Sequence, residues 1–367
     1  MTAPRPQPGI LDISTYVPGA SGGGGAGKPV KLSSNESAIG ASPRAIAAYR
    51  EAGLQLSLYP DGGAVALRRA IAATHGLKVA QIVCGAGSDE IINLVAAAYL
   101  GPGTEALMTA HAFLVFRIAA MARGATPVLA PERRMTTDID ALLARVTDNT
   151  RVVFLANPNN PTGTCIAFDE VRRLHRGLPP HVVLVLDGAY AEYVRQKDYD
   201  AGFELASSSS NTVVTRTFSK AYGLAGVRLG WAYCPAGIAD VLNRIRIPFN
   251  VSAAASAAGI AALADPGQVE AAIAHNDRWL PWLTGELTAL GLELTPSAGN
   301  FVLAGFPGGA PQAAAADAYL QSRSIYVRPM GSYGLGHTLR ITVGPEDDNK
   351  ALVAALRDFL MPMGRAE

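Results

Sequence analysis

Between Leu54 and Cys234 the chain repeats one local pattern: a short apolar run, a turn, then a stretch whose apolar residues recur at helical spacing. QIVC precedes SDEIINLVAAAYL, ALMT precedes FLVFRIAAMA, VVFLAN precedes FDEVRRLHRGL, and VVLVLD and VVTRTF follow. Runs this short and this apolar suit strands buried on both faces, and their alternation with helices predicts a mostly parallel sheet under a helical cover, an α/β fold. After Asp265 the pattern changes. A long amphipathic helix is predicted around Gln268 to Leu290, then short strands at Leu292–Thr295, Phe301–Ala304, Tyr326–Arg328 and Thr338–Thr342, and a last helix near Asn349–Leu360. This part reads as a second, smaller α+β domain. The Ala-rich stretches Ser252–Ala264 and Ala313–Ala318 read as close-packed helices, and the Pro- and Gly-rich first 28 residues as an extended arm whose Ile10, Leu11, Ile13 and Tyr16 need a surface to dock on.

A length of 367 residues allows two or three domains with full cores. Lys and Arg number 31 against 30 Asp and Glu, a net charge of +1, so neither nucleic acid nor an anionic membrane is expected as the main partner. Cys84, Cys165 and Cys234 are odd in number and too far apart for a CxxC pair, which fits a reduced, cytoplasmic setting. Prolines interrupt the N-terminus where a signal peptide needs its apolar stretch, and no run is long enough to span a membrane. The N-x-S matches at Asn35 and Asn250 are therefore expected to carry no sugar. Gly22, Gly27 and Lys28 have the spacing of a phosphate loop, but Pro29 stands where a hydroxyl must hold magnesium and no apolar strand precedes them. No G-x-S-x-G, HExxH or His/Cys cluster offers a start for a hydrolase or metal reading.

Four segments carry chemistry. IVC runs into Gly85 and Gly87 and a helix opens at Ser88 and Asp89, where free backbone N–H groups can hold a phosphate; an ordinary N-cap is the plainer reading. Pro158-Asn159-Asn160-Pro161-Thr162-Gly163 is either a stiff turn or a rigid mount for the Asn160 amide. VVLVLD ends on Asp187, with Tyr190 three positions on, and a carboxylate closing an apolar strand calls for a cation beside it. VVTRTF carries Thr217 and leads into Ser219 and Lys220, with Arg228 eight residues later, at the end of the sheet where such folds bind ligands. A solvated surface lysine is the bland alternative, and it weakens once the other three segments fall at equivalent strand ends.

Together these pieces resemble the fold type I pyridoxal-phosphate aminotransferases, and within them the histidinol-phosphate group. The likeness spans nearly the whole chain: Tyr16-Val17-Pro18-Gly19, Lys31 to Glu36, Tyr59-Pro60-Asp61, Asn157 to Gly163, Ser219-Lys220 and Leu339-Arg340-Ile341-Thr342-Val343-Gly344. Lys220 follows Asp187 by 33 positions, a usual interval in that family. The resemblance implies a seven-stranded, mostly parallel sheet between helices in a large cofactor domain, residues 51–255, with 29–50 and 256–367 forming the small domain and 1–28 the arm. It implies pyridoxal 5'-phosphate as cofactor, with Lys220 joined to its aldehyde, Asp187 at its ring nitrogen, Asn160 and Tyr190 at its 3-hydroxyl and Phe113 on its face. The phosphate would lie on Ser88 and Asp89 among Thr217, Ser219 and Arg228, with Tyr59 arriving from a neighbouring subunit of a homodimer. Arg340 would take the substrate's anionic group, with Tyr16, Asn35 and Arg328 closing the pocket.

Three positions depart from the family's pattern: Asn35-Glu36-Ser37-Ala38, Asp187-Gly188-Ala189-Tyr190, and Phe113 in place of a tyrosine. None removes a charge or the Lys220 amine, so they bear on substrate and not on chemistry. The expected reaction exchanges an amino group between histidinol phosphate and 2-oxoglutarate. Aromatic amino-acid aminotransfer, threonine-phosphate decarboxylation and a non-catalytic cofactor-binding regulator are the alternatives, the last disfavoured because the arm is too short for a helix-turn-helix module.

Overall fold

The computed structural model describes Pro4 and residues 6–22 and 29–361. Gly27 and Lys28 of the loop-like motif lie outside them. Seven strands form the main sheet, in the spatial order Ile82–Gly85, Gly230–Tyr233, Thr212–Thr217, Val183–Asp187, Thr150–Ala156, Glu105–Thr109, Thr126–Ala130. Gly230–Tyr233 runs antiparallel to both of its neighbours and the other pairings are parallel. Two of these strands are not foretold by the apolar-run pattern. Thr126–Ala130 is a half-exposed edge, and Gly230–Tyr233 is four residues opening on a glycine.

Period-two alternation divides the sheet residues between two cores. Leu184, Leu186 and Val214 face one side with the helix Phe168–Gly177, and Val183, Val185 and Val213 face the other with the helices Ser88–Tyr99 and Leu114–Met121. Phe168–Gly177 shows why such segments are helical: Phe168, Val171 and Leu174 fall on one buried face, acids occupy its first turn and His175 and Arg176 its last. Asp187, Thr215 and Thr217 continue the second face beyond its last apolar residues. The alternation therefore delivers them together, at the strands' carboxyl ends.

The smaller body has a core of its own, in which Leu32 joins Leu283, Val302, Leu320, Ile341 and Leu352. Its four-stranded antiparallel sheet is Glu293–Leu294, Phe301–Gly305, Thr338–Thr342 and Arg328–Pro329. The single strand expected over Tyr326–Arg328 is two: Ile325–Tyr326 pairs in parallel with Val30–Lys31, and Arg328–Pro329 pairs with Thr338–Thr342. The expected small domain of 29–50 and 256–367 includes most of two helices that contribute to the large core. Helices Pro43–Ala52 and Ala253–Leu263 pack with the large body, where Ala45, Ala255, Ala258 and Ala262 share a core with Leu67 and Ile71. Small side chains permit this close approach; a Cβ added to Gly259 would meet Leu229 at 2.4 Å. The helix Pro266–Ala289 spans both bodies, with Val269 and Ile273 against Tyr190 and Tyr193 and with Trp279, Leu283 and Leu287 in the smaller core.

Candidate active site

One cavity gathers the predicted residues at the carboxyl end of the main sheet. Five segments leaving five different strands line it: Ser88 and Asp89, Phe113, Asn160, Asp187 with Tyr190, and Thr217 with Ser219 and Lys220. Arg228 closes one side, and the smaller body and the arm bring Asn35, Arg328, Arg340 and Tyr16. Tyr59 is the exception. It is 84% exposed, stacked on Phe249 at 4.7 Å, and does not line this cavity.

Asp187 sits at the floor. Its Oδ1 accepts from the Thr215 hydroxyl at 3.1 Å and the Ala189 N–H at 3.2 Å, and burial pushes its carboxyl up to about 6. Thr215 is in register with Asp187 on the adjacent strand, a partnership the sequence hides because it depends on which strands pair. The Lys220 ammonium donates to the Ser34 carbonyl at 3.1 Å and lies 5.5 Å from the centre of the Tyr190 ring. Burial, then the nearby Arg340 charge, lowers it to about 8, so near that pH about half of it is a free amine.

The start of the Ser88 helix is open for an anion. Gly87, at φ 89°, makes the turn into it, and no side chain caps the first N–H groups. Arg228 stands over this turn, donating to Asp89 Oδ2 at 3.2 Å and to Ser219 Oγ at 3.3 Å. A Cβ on Gly87 would come within 2.7 Å of the Arg228 guanidinium, so the bare backbone leaves the cradle free.

Elsewhere on the lining Arg340, buried in Thr338–Thr342, donates to Asn160 Oδ1 at 2.5 Å and to the Ser33 carbonyl at 2.8 Å, while its Nε is buried without a partner among the described residues. Arg328 faces it in register on the neighbouring strand and lies 5.4 Å from the centre of the Tyr16 ring. Asn160 is mounted as rigidly as its prolines suggest, through residues the motif reading passed over. Asn157 exchanges bonds with the backbone of Ile166 at 3.0 and 2.9 Å, and Asn159 donates to the His111 carbonyl and to Thr162. Asn35 is fully buried, donating to the Tyr190 oxygen at 2.9 Å.

The arrangement has a shape and a polarity. The Ser88 helix start can take an anion, Asp187, whose carboxylate has hydroxyl and N–H donors but no ion pair among the described residues, can meet a cation, and Phe113 lines the same cavity. A second anion fits at Arg340 and Arg328. The amine of Lys220 lies amid all of these.

Comparison with known proteins agrees with this geometry. Residues 27–356 match the family described as aminotransferase class I and II. The histidinol-phosphate aminotransferase of Paramagnetospirillum magneticum is 54% identical over 361 residues, covering 98% of this chain and 99% of that one, and that of Rhodopseudomonas palustris strain HaA2 is 54% identical with the same coverage. The crystal structure of histidinol-phosphate aminotransferase from Sinorhizobium meliloti in complex with pyridoxal-5'-phosphate superposes with a TM-score of 0.89 at 28% identity, covering 98% of both chains. By sequence and by structure, this chain belongs to the class I and II aminotransferases.

Proposed function

We propose that the chain is a pyridoxal-phosphate-dependent histidinol-phosphate aminotransferase, interconverting histidinol phosphate and 2-oxoglutarate with imidazole-acetol phosphate and glutamate. The observation that carries the reading is the pair of buried guanidiniums, Arg328 and Arg340, facing the cavity that holds Lys220 and Asp187. When bound, pyridoxal phosphate supplies a protonated ring that withdraws electrons from the substrate carbon. Asp187 keeps that ring nitrogen protonated by its charge, and the cation returns the carboxylate toward its ordinary range. Ser88, Asp89, Thr217, Ser219 and Arg228 would hold the phosphate, Asn160 and Tyr190 would hold the ring oxygen, and Phe113 would pack against the ring. Lys220 would take the proton from the substrate carbon and return it to the carbon on the far side of the intervening nitrogen, and its lowered affinity for protons suits both acts. Arg340 receives the substrate's anionic group: a planar guanidinium can grip either a phosphate or a carboxylate through paired bonds, so one side chain serves both half-reactions. Tyr16, Asn35 and Arg328 close around it.

Tyr59 belongs, in this reading, to the phosphate site of a second copy, and the enzyme is a homodimer. Its three free cysteines suit the cytoplasm, and among the described residues no helix is long and apolar enough to cross a membrane. The test is kcat/KM for histidinol phosphate against phenylalanine, with 2-oxoglutarate as acceptor. Histidinol phosphate is expected to lead by at least about 100-fold, some 2.7 kcal/mol, and Arg340→Ala to weaken both half-reactions. Equal values for the two donors overturn the substrate. An Arg340→Ala enzyme within about threefold of the parent moves the anion site elsewhere.

A further inference from the structure

We propose that Thr342, in the smaller body, sets the direction in which Tyr190 gives its phenolic proton, by holding the Asn35 amide in one of its two orientations. The argument needs only the donor and acceptor capacity of each group. The Asn35 backbone N–H can only donate, and it lies 2.9 Å from Thr342 Oγ1. That oxygen accepts there, and its own proton goes to Asn35 Oδ1 at 3.1 Å. With the amide oxygen thus turned to Thr342, the amide nitrogen faces Tyr190 and donates to its oxygen at 2.9 Å. The phenol is an acceptor toward Asn35, so its proton is directed into the cavity. Turning the amide over would take from the buried Thr342 hydroxyl the acceptor it has and would set the amide oxygen against the phenol, drawing that proton away from the cavity.

The surroundings give Asn35 little freedom to turn. It is fully buried, its backbone lies in the left-handed region at φ 56°, and its carbonyl accepts from Asn300 at 3.2 Å. Thr342 is buried two residues beyond Arg340, hence on the same face of its strand. Thr342 is therefore a positioning residue: it reaches the reaction through Asn35 and Tyr190.

The inference rests on the cofactor reading above, in which Tyr190 faces an oxygen on the ring. A proton offered to that oxygen favours its anionic form, so loss of the offer raises the pH at which the bound cofactor's visible absorbance changes. Arg340, Asp187, Asp89, Lys220, Tyr193 and Tyr333 also act on Tyr190 or its neighbourhood and stay unaltered in the variants.

The experiment titrates the visible absorbance of purified holoenzyme for the parent, Thr342→Val, Thr342→Ser, Asn35→Asp and Tyr190→Phe. Thr342→Val is expected to raise the midpoint in the same direction as Tyr190→Phe, by about half a pH unit or more. Thr342→Ser, which keeps the hydroxyl, should stay with the parent. Asn35→Asp, whose carboxylate can only accept from the phenol, should rise as well, and it carries the test if the valine variant does not fold. An unchanged midpoint in Thr342→Val or Asn35→Asp beside a shifted Tyr190→Phe overturns the proposal, as does a serine variant that shifts as far as valine. A parent enzyme with no visible band at all would instead overturn the cofactor reading.

Discussion

Asp187 is placed where its charge is costly until a ligand arrives. Its folded value of about 6 lies above the ordinary 3.8, so the folded state binds the proton more tightly. Stability of the cofactor-free protein therefore falls as pH rises from 3.8 to about 6, and the penalty persists above that. A rise of this size is worth about 3 kcal/mol at most. Cofactor-free Asp187→Asn, which keeps the shape and loses the charge, is expected to be more stable than the parent to urea at pH 7.5, and no more stable near pH 4. With cofactor bound the order of merit reverses: the amide retains the ligand but no longer holds the ring nitrogen protonated, so turnover should fall by about a thousandfold. A urea midpoint difference that is the same at both pH values would remove burial as the cause. Near-normal turnover would remove the assigned role.

At the scale of elements, the turn from Ile82–Gly85 into the Ser88 helix is the sharpest test. Gly87→Ala places a Cβ at a backbone angle that side chains rarely adopt and 2.7 Å from Arg228, forcing the guanidinium off Asp89 and Ser219. We expect about 1–3 kcal/mol of lost stability and at least tenfold weaker cofactor retention in equilibrium dialysis; retention equal to the parent would separate this helix start from the phosphate. Segments of this kind are legible in sequence because each announces itself locally. Asp187 closes an apolar run, Lys220 follows another beside hydroxyls, and Gly87 precedes a helix. What stays hidden depends on pairing between distant segments. Thr215 matters because its strand lies beside that of Asp187, Asn159 because it reaches His111, and Thr342 because Asn35 folds back on it from 307 residues away. Edge and antiparallel strands such as Thr126–Ala130 and Gly230–Tyr233 escape notice because partial exposure or brevity dilutes the apolar signal. The expected boundaries at 50 and 255 cut through the helices Pro43–Ala52 and Ala253–Leu263, whose shared alanine contact with Leu67 and Ile71 no local pattern announces.

At the scale of the whole molecule, exposed apolar side chains gather in sequence around Tyr59. Leu54, Leu56, Leu58, Tyr59 and Ile247 are each at least 66% exposed, and Phe249 lies under Tyr59. A patch of this kind marks an interface, and twofold pairing is its commonest form. The chain is expected to sediment as a dimer, and Leu56→Glu with Leu58→Glu to yield monomers that lose activity. Tyr59→Phe should leave the dimer intact while weakening cofactor retention. A fully active monomer at assay concentration would end the claim that Tyr59 serves a partner. The pairing of Val30–Lys31 with Ile325–Tyr326 has a consequence in time as well as in space. During synthesis at roughly 5–20 residues per second, the first of these strands waits some 15–60 s for the second to leave the ribosome. Once Gly230–Tyr233 has been made, over roughly the last third of that interval, the seven strands of the main sheet are available to one another, so the large body can assemble on the nascent chain while Leu32 still has no core to enter.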